Sequence, residues 1–251
     1  MESTATPGGN GESLRASLGQ LLEFSVSARS LADAVEAYAA LGMREVSLAD
    51  FVPGARAVVS DGRLCIGLHD AELDGPAPTF VRPGLKEHVR ALEAAGIELE
   101  LVELADDQFH RAGFRDPNGV LILMIEARTF PPVDMNAHSV PACGTFAELS
   151  VATQSLEEST RFWTSLGFSP VGETDDPHRW RRLEGHGLVV GLHETGRFRI
   201  ALTFHAPQLD ARIEYLRAKG FELRRESPLT GGRMASATLF PPGDVRFYLI
   251  E

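Results

Sequence analysis

The sequence predicts an α+β protein of four βαβββ modules arranged as two tandem halves. The second half repeats the first, since LLEFSVSARSLADAVEAYAALGM at 21–43 matches FAELSVATQSLEESTRFWTSLGF at 146–168, with Glu23 on Glu148. Within each half, a strand with alternating apolar residues runs into a helix with apolar residues at helical spacing. Three short extended segments follow, and the order then restarts. These observations indicate an internal duplication in which each half holds two modules.

The first half shows the elements in order. A strand is predicted where Leu22, Phe24 and Val26 alternate with polar residues. The helix that follows ends at Gly42, because glycine readily takes the left-handed conformation that closes a helix. The remaining predicted elements are extended segments ending at 64–68, a strand at 79–81, a helix over 85–95, and strands at 97–102, 112–114 and 120–125.

Two stretches without hydrophobic periodicity bound the halves. Residues 1–18 are rich in Gly, Ser, Thr and Pro and are predicted to form a mobile tail. Residues 129–144 carry three prolines and are predicted to be a linker. The two domains are therefore expected at 19–128 and 145–251.

Composition and charge limit the classes of function. The 24 Lys and Arg residues against 35 Asp and Glu residues give a net charge of −11, and without a basic block a nucleic-acid partner is not expected. No apolar stretch approaches the ~20 residues that cross a bilayer, and the N-terminus lacks the regions of a secretion signal, so we expect a cytoplasmic protein without a membrane partner. Cys65 and Cys143 form neither a CxxC pair nor a zinc spacing and are expected to be reduced thiols.

The residues that close the helices and introduce the last strand carry a resemblance to a known family. The first helix of each half closes with LGM or LGF, the second closes with AAG or AKG, and FRDPNG introduces the last strand of the first half. Together these features resemble the vicinal oxygen chelate superfamily, which contains glyoxalases, extradiol dioxygenases, epimerases, fosfomycin-resistance transferases and bleomycin-binding proteins. The resemblance covers residues 20 to 251 apart from the linker. It implies two tandem domains of this type, with curled, cup-shaped sheets.

Strand alternation places candidate site residues on one face. Leu22, Phe24 and Val26 are expected to pack on the helices, as is Ala147 in the second half, which leaves Glu23 on the opposite face. By the same alternation, further residues of this opposite face are Ser25, Cys65, His69, Thr79, Glu148, Ser150, His193, Thr203 and His205.

Two further side chains are placed without this alternation. Trp180 precedes a strand of the same face and is a candidate to stack on a ligand, with packing at an edge strand as the alternative. His88 lies on the helix predicted over 85–95 and is expected at the surface.

Two interpretations of the polar face stay open. Alternating polar positions ordinarily mark a solvated sheet surface. In the superfamily, by contrast, the face opposite the helices lines a cavity that binds a ligand or a metal. On the second interpretation Glu23 and Glu148 are candidate catalytic residues. Burial would raise the pKa of a carboxylate and let it act as a general base, or it could accept a hydrogen bond from a ligand.

The superfamily's metalloenzymes hold a divalent ion with three or four His, Glu or Gln side chains from different modules. The resemblance places one such position on Glu23 or Glu148 and the others on Gly67, Gly191, Ala77, Ala201, Leu123 and Phe247 or Tyr248. Glycine, alanine and leucine side chains cannot bind a metal, so neither a metal nor another cofactor is predicted. The alternative is a shifted divalent-metal site that uses Glu23 with His69, or Glu148 with His193 and His205.

The leading functional hypothesis is therefore a metal-independent protein that binds a small organic molecule, similar to the drug-sequestering members of the superfamily. The alternative is an enzyme of glyoxalase-like lyase, isomerase or dioxygenase type with a non-standard Glu/His site. Both hypotheses expect a small-molecule partner and a chain that is either a monomeric pseudo-dimer or a homodimer.

Overall fold

The computed structural model describes residues 18–46, 55–107, 109–127, 141–228 and 234–251. The first half contains β1 (Gln20–Ser27), α1 (Leu31–Ala40), β2 (Arg44–Val46), β3 (Ala55–Ser60), β4 (Cys65–His69), β5 (Ala77–Arg82), α2 (Leu85–Ala94), β6 (Leu99–Glu103), β7 (Arg111–Arg115) and β8 (Leu121–Glu126). The second half contains β9 (Thr145–Ala152), α3 (Leu156–Ser165), β10 (Ser169–Thr174), β11 (Trp180–Gly185), β12 (Leu188–His193), β13 (Ile200–His205), α4 (Leu209–Ala218), β14 (Leu223–Pro228), β15 (Met234–Leu239) and β16 (Phe247–Ile250).

Most of the predicted tail and linker lies outside the described residues. Of the tail only Leu18 is described, and it is buried. Of the linker, 141–144 is described, and Cys143 within it is buried. None of the helices in the described ranges is long and apolar enough to cross a membrane.

Each half forms one eight-stranded sheet. The strand order is β2-β3-β4-β1-β5-β8-β7-β6 in the first half and β10-β11-β12-β9-β13-β16-β15-β14 in the second. The two modules of a half meet where their first strands pair antiparallel, β1 with β5 and β9 with β13. The predicted α+β fold of four βαβββ modules is confirmed. The sequence leaves open which modules pair, and in the structure they pair within each half.

Helices α1 and α3 begin and end with the same local signals. Ser30 and Ser155 precede them, and each side chain accepts a hydrogen bond from the backbone N–H three residues on, at 3.4 and 3.3 Å. Both helices end just before a glycine with positive φ, 89° at Gly42 and 95° at Gly167. These caps give the duplicated helices the same length of 10 residues.

The two halves pack against each other through these helices. Trp163 of α3 donates from Nε1 to Asp116 of the first half at 3.3 Å, and Tyr38 of α1 donates from Oη to the Pro242 carbonyl of the second half at 3.0 Å. Both side chains are fully buried, and apolar residues of both halves form a single core. The sheet faces turned away from the helices therefore remain for a site.

The predicted faces of β1 and β9 need correction at one residue each. The register of β1 against β5 shifts between Leu21 and Glu23, and Leu22 packs on the face opposite the helices. In β9, Glu148 pairs with Thr203 and the next pair joins Phe146 to Phe204, so Ala147 is the extra residue of a bulge. An irregular register adds a residue to one strand and breaks strict alternation.

His88 is buried, and the prediction of a surface position is wrong. Burial lowers the pKa of His88 to about 4, and the charges of Arg82 and His186 act in the same direction. His186 belongs to the second half, so a charge of the other half acts on a buried position that the spacing within α2 does not distinguish from a surface position.

Candidate functional site

The first cup is the helix-free face of the first sheet, and four of its polar side chains form a network. His69 Nε2 lies 2.7 Å from Glu23 Oε1, and Ser25 Oγ donates to the same oxygen at 2.8 Å. Ser25 Oγ also lies 2.7 Å from Thr79 Oγ1. All four residues are buried, so the interpretation as a solvated sheet surface is wrong for this face.

The second cup, the helix-free face of the second sheet, repeats this network. His193 Nε2 and Ser150 Oγ each lie 2.8 Å from Glu148 Oε1. Ser150 Oγ lies 2.6 Å from Thr203 Oγ1. The structure thus brings together eight of the side chains singled out in the sequence, as two equivalent sets of Glu, Ser, His and Thr.

A glycine makes room for the carboxylate in each cup. A Cβ at Gly67 would lie 2.0 Å from Glu23 Oε1, and a Cβ at Gly191 would lie 2.1 Å from Glu148 Oε1. Neither distance is compatible with nonbonded atoms. Glycine is therefore required at both positions for the carboxylate to lie across the neighbouring strand.

The surroundings of the first cup are apolar. Its side chains make a buried cluster of Leu22, Val58, Cys65, Val81 and Ile125. Burial raises the pKa of Cys65 to about 11. Glu23 Oε2 is buried without a hydrogen-bond partner in the described part of the chain. The side chains around the Glu23 carboxylate are therefore apolar and buried.

The surroundings of the second cup are aromatic and only half-buried. Trp180 Nε1 donates to Glu148 Oε1 at 3.4 Å. The rings whose centroids lie within 6 Å of the His193 ring are His178 at 5.2 Å, Phe198 at 5.5 Å and Trp180 at 5.7 Å. His178 Nε2 lies 2.9 Å from His193 Nδ1, and Tyr248 continues the aromatic wall at 6.0 Å from Phe198.

Arg182 adds a positive charge to the second cup. Its Nε lies 3.4 Å from Glu148 Oε2. Burial acts to raise the pKa of Glu148, but the hydrogen bond and charge of His193, the hydroxyl of Ser150 and the charge of Arg182 outweigh it, so the pKa lies below its ordinary value. The expectation of a raised pKa is therefore wrong at Glu148, which is ionised at neutral pH and is a weak base.

Not every predicted residue joins a network. His205 is exposed at the end of β13, opposite Thr145, and makes no ion pair with Glu148 in the described structure. Sequence reasoning did not single out Arg182, although it lies two residues after Trp180 on the same strand, where alternation could have found it. Phe198 lies in a loop, where no periodic signal exists.

Cavities also lie along the junction of the two halves. One of about 690 Å³ is lined by His69 and by the acidic residues Asp70, Glu72, Asp74 and Asp244. Another of about 460 Å³ is lined in part by Phe198 and Arg199. The first cavity is lined by Ser27 and His69 of β1 and β4, and it therefore reaches the edge of the Glu23 network at His69.

Comparison with known proteins gives matches at the level of structure. No protein-family model and no curated protein sequence matches the chain. A catechol 2,3-dioxygenase structure is 18% identical over 94% of this chain and 88% of its own, with a TM-score of 0.54. A 2,2',3-trihydroxybiphenyl 1,2-dioxygenase from Sphingomonas wittichii is 18% identical over 93% of this chain and 90% of its own, with a TM-score of 0.59.

An extradiol ring-cleaving dioxygenase from B. fuscum is similar to the chain as well. It is 12% identical over 94% of this chain and 72% of its own, with a TM-score of 0.62. Extradiol dioxygenases are members of the superfamily that the helix-closing motifs indicate. The chain has the vicinal oxygen chelate fold. At these identities the likeness concerns the fold alone.

The residues of the cups do not fit the metal site of metalloenzymes with the vicinal oxygen chelate fold. Gly67 and Gly191 offer no ligating atom, and any side chain there would overlap the Glu23 or Glu148 carboxylate. The shifted alternative has one carboxylate and one imidazole in direct contact in each cup, without His205. Within the described residues, no group of three or more His, Cys, Asp or Glu side chains is arranged to hold a metal ion.

Proposed function

We propose that the chain binds a small organic molecule in the second cup without a metal ion. The observation that carries this proposal is the polar centre of Glu148, His193 and Arg182 within a half-buried aromatic wall. Ligand sites commonly combine an apolar lining with a few convergent polar groups that orient the ligand. The second cup has this combination.

The first cup is not part of the proposed site. Its Glu23 network has the same geometry, but Val58, Cys65 and Val81 are at most 6% exposed. A ligand would have to displace these side chains, whereas in the second cup it would meet partly exposed rings.

A thermal-shift screen of bicyclic aromatic compounds in the presence and absence of EDTA tests the proposal. We expect at least one compound to raise the melting temperature equally in both conditions, because binding to the folded state stabilises it. Quenching of Trp180 fluorescence would place the compound in the second cup. Trp163, the other tryptophan, is fully buried between the halves.

Glu148→Gln and Glu23→Gln form a matched pair of variants for this screen. We expect Glu148→Gln to change the affinity about tenfold or more, since it removes the negative charge at the polar centre. Glu23→Gln should change stability but leave the affinity for the compound as it is. A response that needs metal, or that follows Glu23 instead of Glu148, would contradict the proposal.

A second candidate function is metal-free acid–base catalysis in the same cup. The observation that favours it is a chain of polar contacts from Glu148 Oε1 through His193 to half-exposed His178, which could carry a proton between the carboxylate and solvent. Incubating a compound that binds, followed by mass spectrometry, separates the two functions. A product formed by the wild type but not by Glu148→Gln would favour the enzyme, and an unchanged compound would favour the binding protein.

A further inference from the structure

We infer that the ligand of the second cup is a planar aromatic molecule that carries a carboxylate, and that Arg182 binds this carboxylate. The inference rests on the proposed function and names the chemical class of its ligand. It follows from the donors of Arg182, from the aromatic wall and from the charge of the second half.

Arg182 has hydrogen-bond donors to spare. Its Nε is buried and makes no hydrogen bond within the described part of the chain, because the contact of 3.4 Å with Glu148 Oε2 is an ion pair without hydrogen-bond geometry. Its Nη2 donates to the Ala147 carbonyl at 3.3 Å. A guanidinium has five N–H donors in a planar fork that matches a carboxylate. Arg182 can therefore donate from its remaining Nη hydrogens to a ligand carboxylate without losing the bond to Ala147.

The position of Arg182 is specific to the second half. In the register of each sheet, Arg182 lies opposite Gly191 and Val58 lies opposite Gly67. The Glu, Ser, His and Thr network is the same in both cups, so that network alone cannot explain why one cup has a guanidinium and the other an isopropyl group. A ligand with an anionic group gives the guanidinium a role that the fold does not require.

The neighbouring rings indicate the rest of the ligand. The guanidinium carbon of Arg182 lies 5.9 Å from the centroid of the Trp180 ring. Beyond Trp180 the wall continues through His193, Phe198 and Tyr248, each half-buried. Offset or edge-to-face contacts with such rings favour a flat, conjugated ligand. An aromatic ring on this wall would present its carboxylate to Arg182.

The charge of the second half permits an anionic ligand despite the acidic composition of the protein. The chain has 21 acidic and 11 basic residues up to residue 144, but 14 acidic and 13 basic residues from 145 onward. Arg197 lies close enough to His178 to act on its charge. Glu148 repels an anion, but it is already engaged by Ser150, His193 and Arg182.

Calorimetric titration with three probes of one shape and different charge tests the inference. The probes are naphthoate, the neutral naphthamide and the cationic naphthylmethylammonium. We expect naphthoate to bind about tenfold or more tightly than either of the others, and to lose affinity as salt is raised. Arg182→Gln should remove this preference.

Arg181→Gln is the matched control, because Arg181 is the next residue on the same strand but pairs with Glu173 on the other face. We expect it to keep the preference for naphthoate. Equal or tighter binding of the amide or the cation would overturn the anionic class and leave the proposed function standing. A preference for naphthoate that survives Arg182→Gln would overturn the role of Arg182. If no probe binds and Trp180 fluorescence does not change, both the inference and the proposed function fail.

Discussion

The two cups share one polar network and differ in almost everything around it. Each has a glutamate over a glycine, held by a serine and a histidine, with a threonine behind the serine. In the first cup the neighbours are apolar and buried. In the second cup they are arginine and half-buried rings. Because the same network occurs in both surroundings, the network alone does not distinguish the two cups.

The strands near the edge of each sheet also differ in burial between the two halves. The residues of β3 at 57–60 are all buried, whereas the equivalent β11 has one buried residue, Leu183, and its neighbour β10 has no residue classed as buried. A duplicated fold thus has one half that closes on itself and one half that leaves a face accessible. The two cups therefore have the same residues at the centre and differ in the exposure of the residues around it.

The largest expected effect comes from the difference in free space around the glutamate carboxylate of the two cups. Gly67→Ala places a Cβ against the Glu23 carboxylate, which is enclosed and cannot turn away without losing Ser25 and His69. We expect this variant to lower the free energy of unfolding by about 3 to 5 kcal/mol, as the sum of overpacking and lost buried hydrogen bonds. Gly191→Ala should cost less, about 1 to 2 kcal/mol, because the partly exposed Trp180 and Arg182 beside the buried Glu148 carboxylate can move aside. Urea unfolding measures both.

The double variant Gly67→Ala/Glu23→Ala is the control for this comparison. Removing the carboxylate should restore a large part of the lost stability, because the added methyl group then has space. Equal losses in Gly67→Ala and Gly191→Ala would show that the cups do not differ in available space.

Thiol labelling provides a second test of whether the first cup is less accessible than the second cup. Cys65 and Val189 occupy equivalent positions, each two residues before the glycine of its cup, but only Cys65 is buried. Burial raises the pKa of Cys65 to about 11 and that of Cys143 to about 12. We expect both native thiols to react slowly with a disulfide reagent at about pH 8, and Val189→Cys to react at least about tenfold faster than either. Similar labelling rates at positions 65 and 189 would show that the two cups are equally accessible to the reagent.

The pH dependence of the unfolding free energy tests the charge environment of Glu148. Its folded pKa is lowered, so its carboxylate stabilises the fold fully above the unfolded pKa of about 4.3, and this stabilisation is lost as the pH falls through the folded pKa. Glu148→Gln has no such proton to take up. The difference in unfolding free energy between the wild type and this variant should therefore shrink between about pH 6 and pH 3. If the difference in unfolding free energy stayed constant or grew as the pH fell, the charge environment of Glu148 would not favour its ionised form.

The smallest effect concerns the contact between the halves. Tyr38→Phe removes the hydrogen bond from Oη to the Pro242 carbonyl and leaves that oxygen without its partner. We expect a loss of about 1 kcal/mol in unfolding free energy and no change in the affinity of the second cup for naphthoate. Unfolding and calorimetry measure the two quantities. A changed affinity would show that the junction of the halves acts on the cup.

Much of the fold could be predicted from the sequence because its signals are local. Period-two alternation placed Glu23, Ser25 and Thr79 on one face, and helical spacing with Ser30 and Gly42 bounded a helix. The internal repeat then carried these assignments to the second half. Alternation failed at Leu22, where an irregular register moves one residue to the other face.

The candidate site was predictable only in part. Its shared glutamate and histidine lie on regular strands and follow alternation, whereas Phe198 lies in a loop and has no periodic signal. The direction of the Glu148 pKa shift was also beyond the sequence. Burial alone predicts a rise, and the fall depends on the distances of His193 and Arg182.

The sequence by itself determined the duplication, the order of strands and helices, and the side chains that could meet in each cup, because these depend on neighbours along the chain. Only the tertiary structure decided that modules pair within each half, that His88 is buried, and that the residues around one cup are buried while those around the other are partly exposed. These outcomes depend on contacts between segments distant in sequence. Burial and charge at any residue are properties of all the elements packed around it.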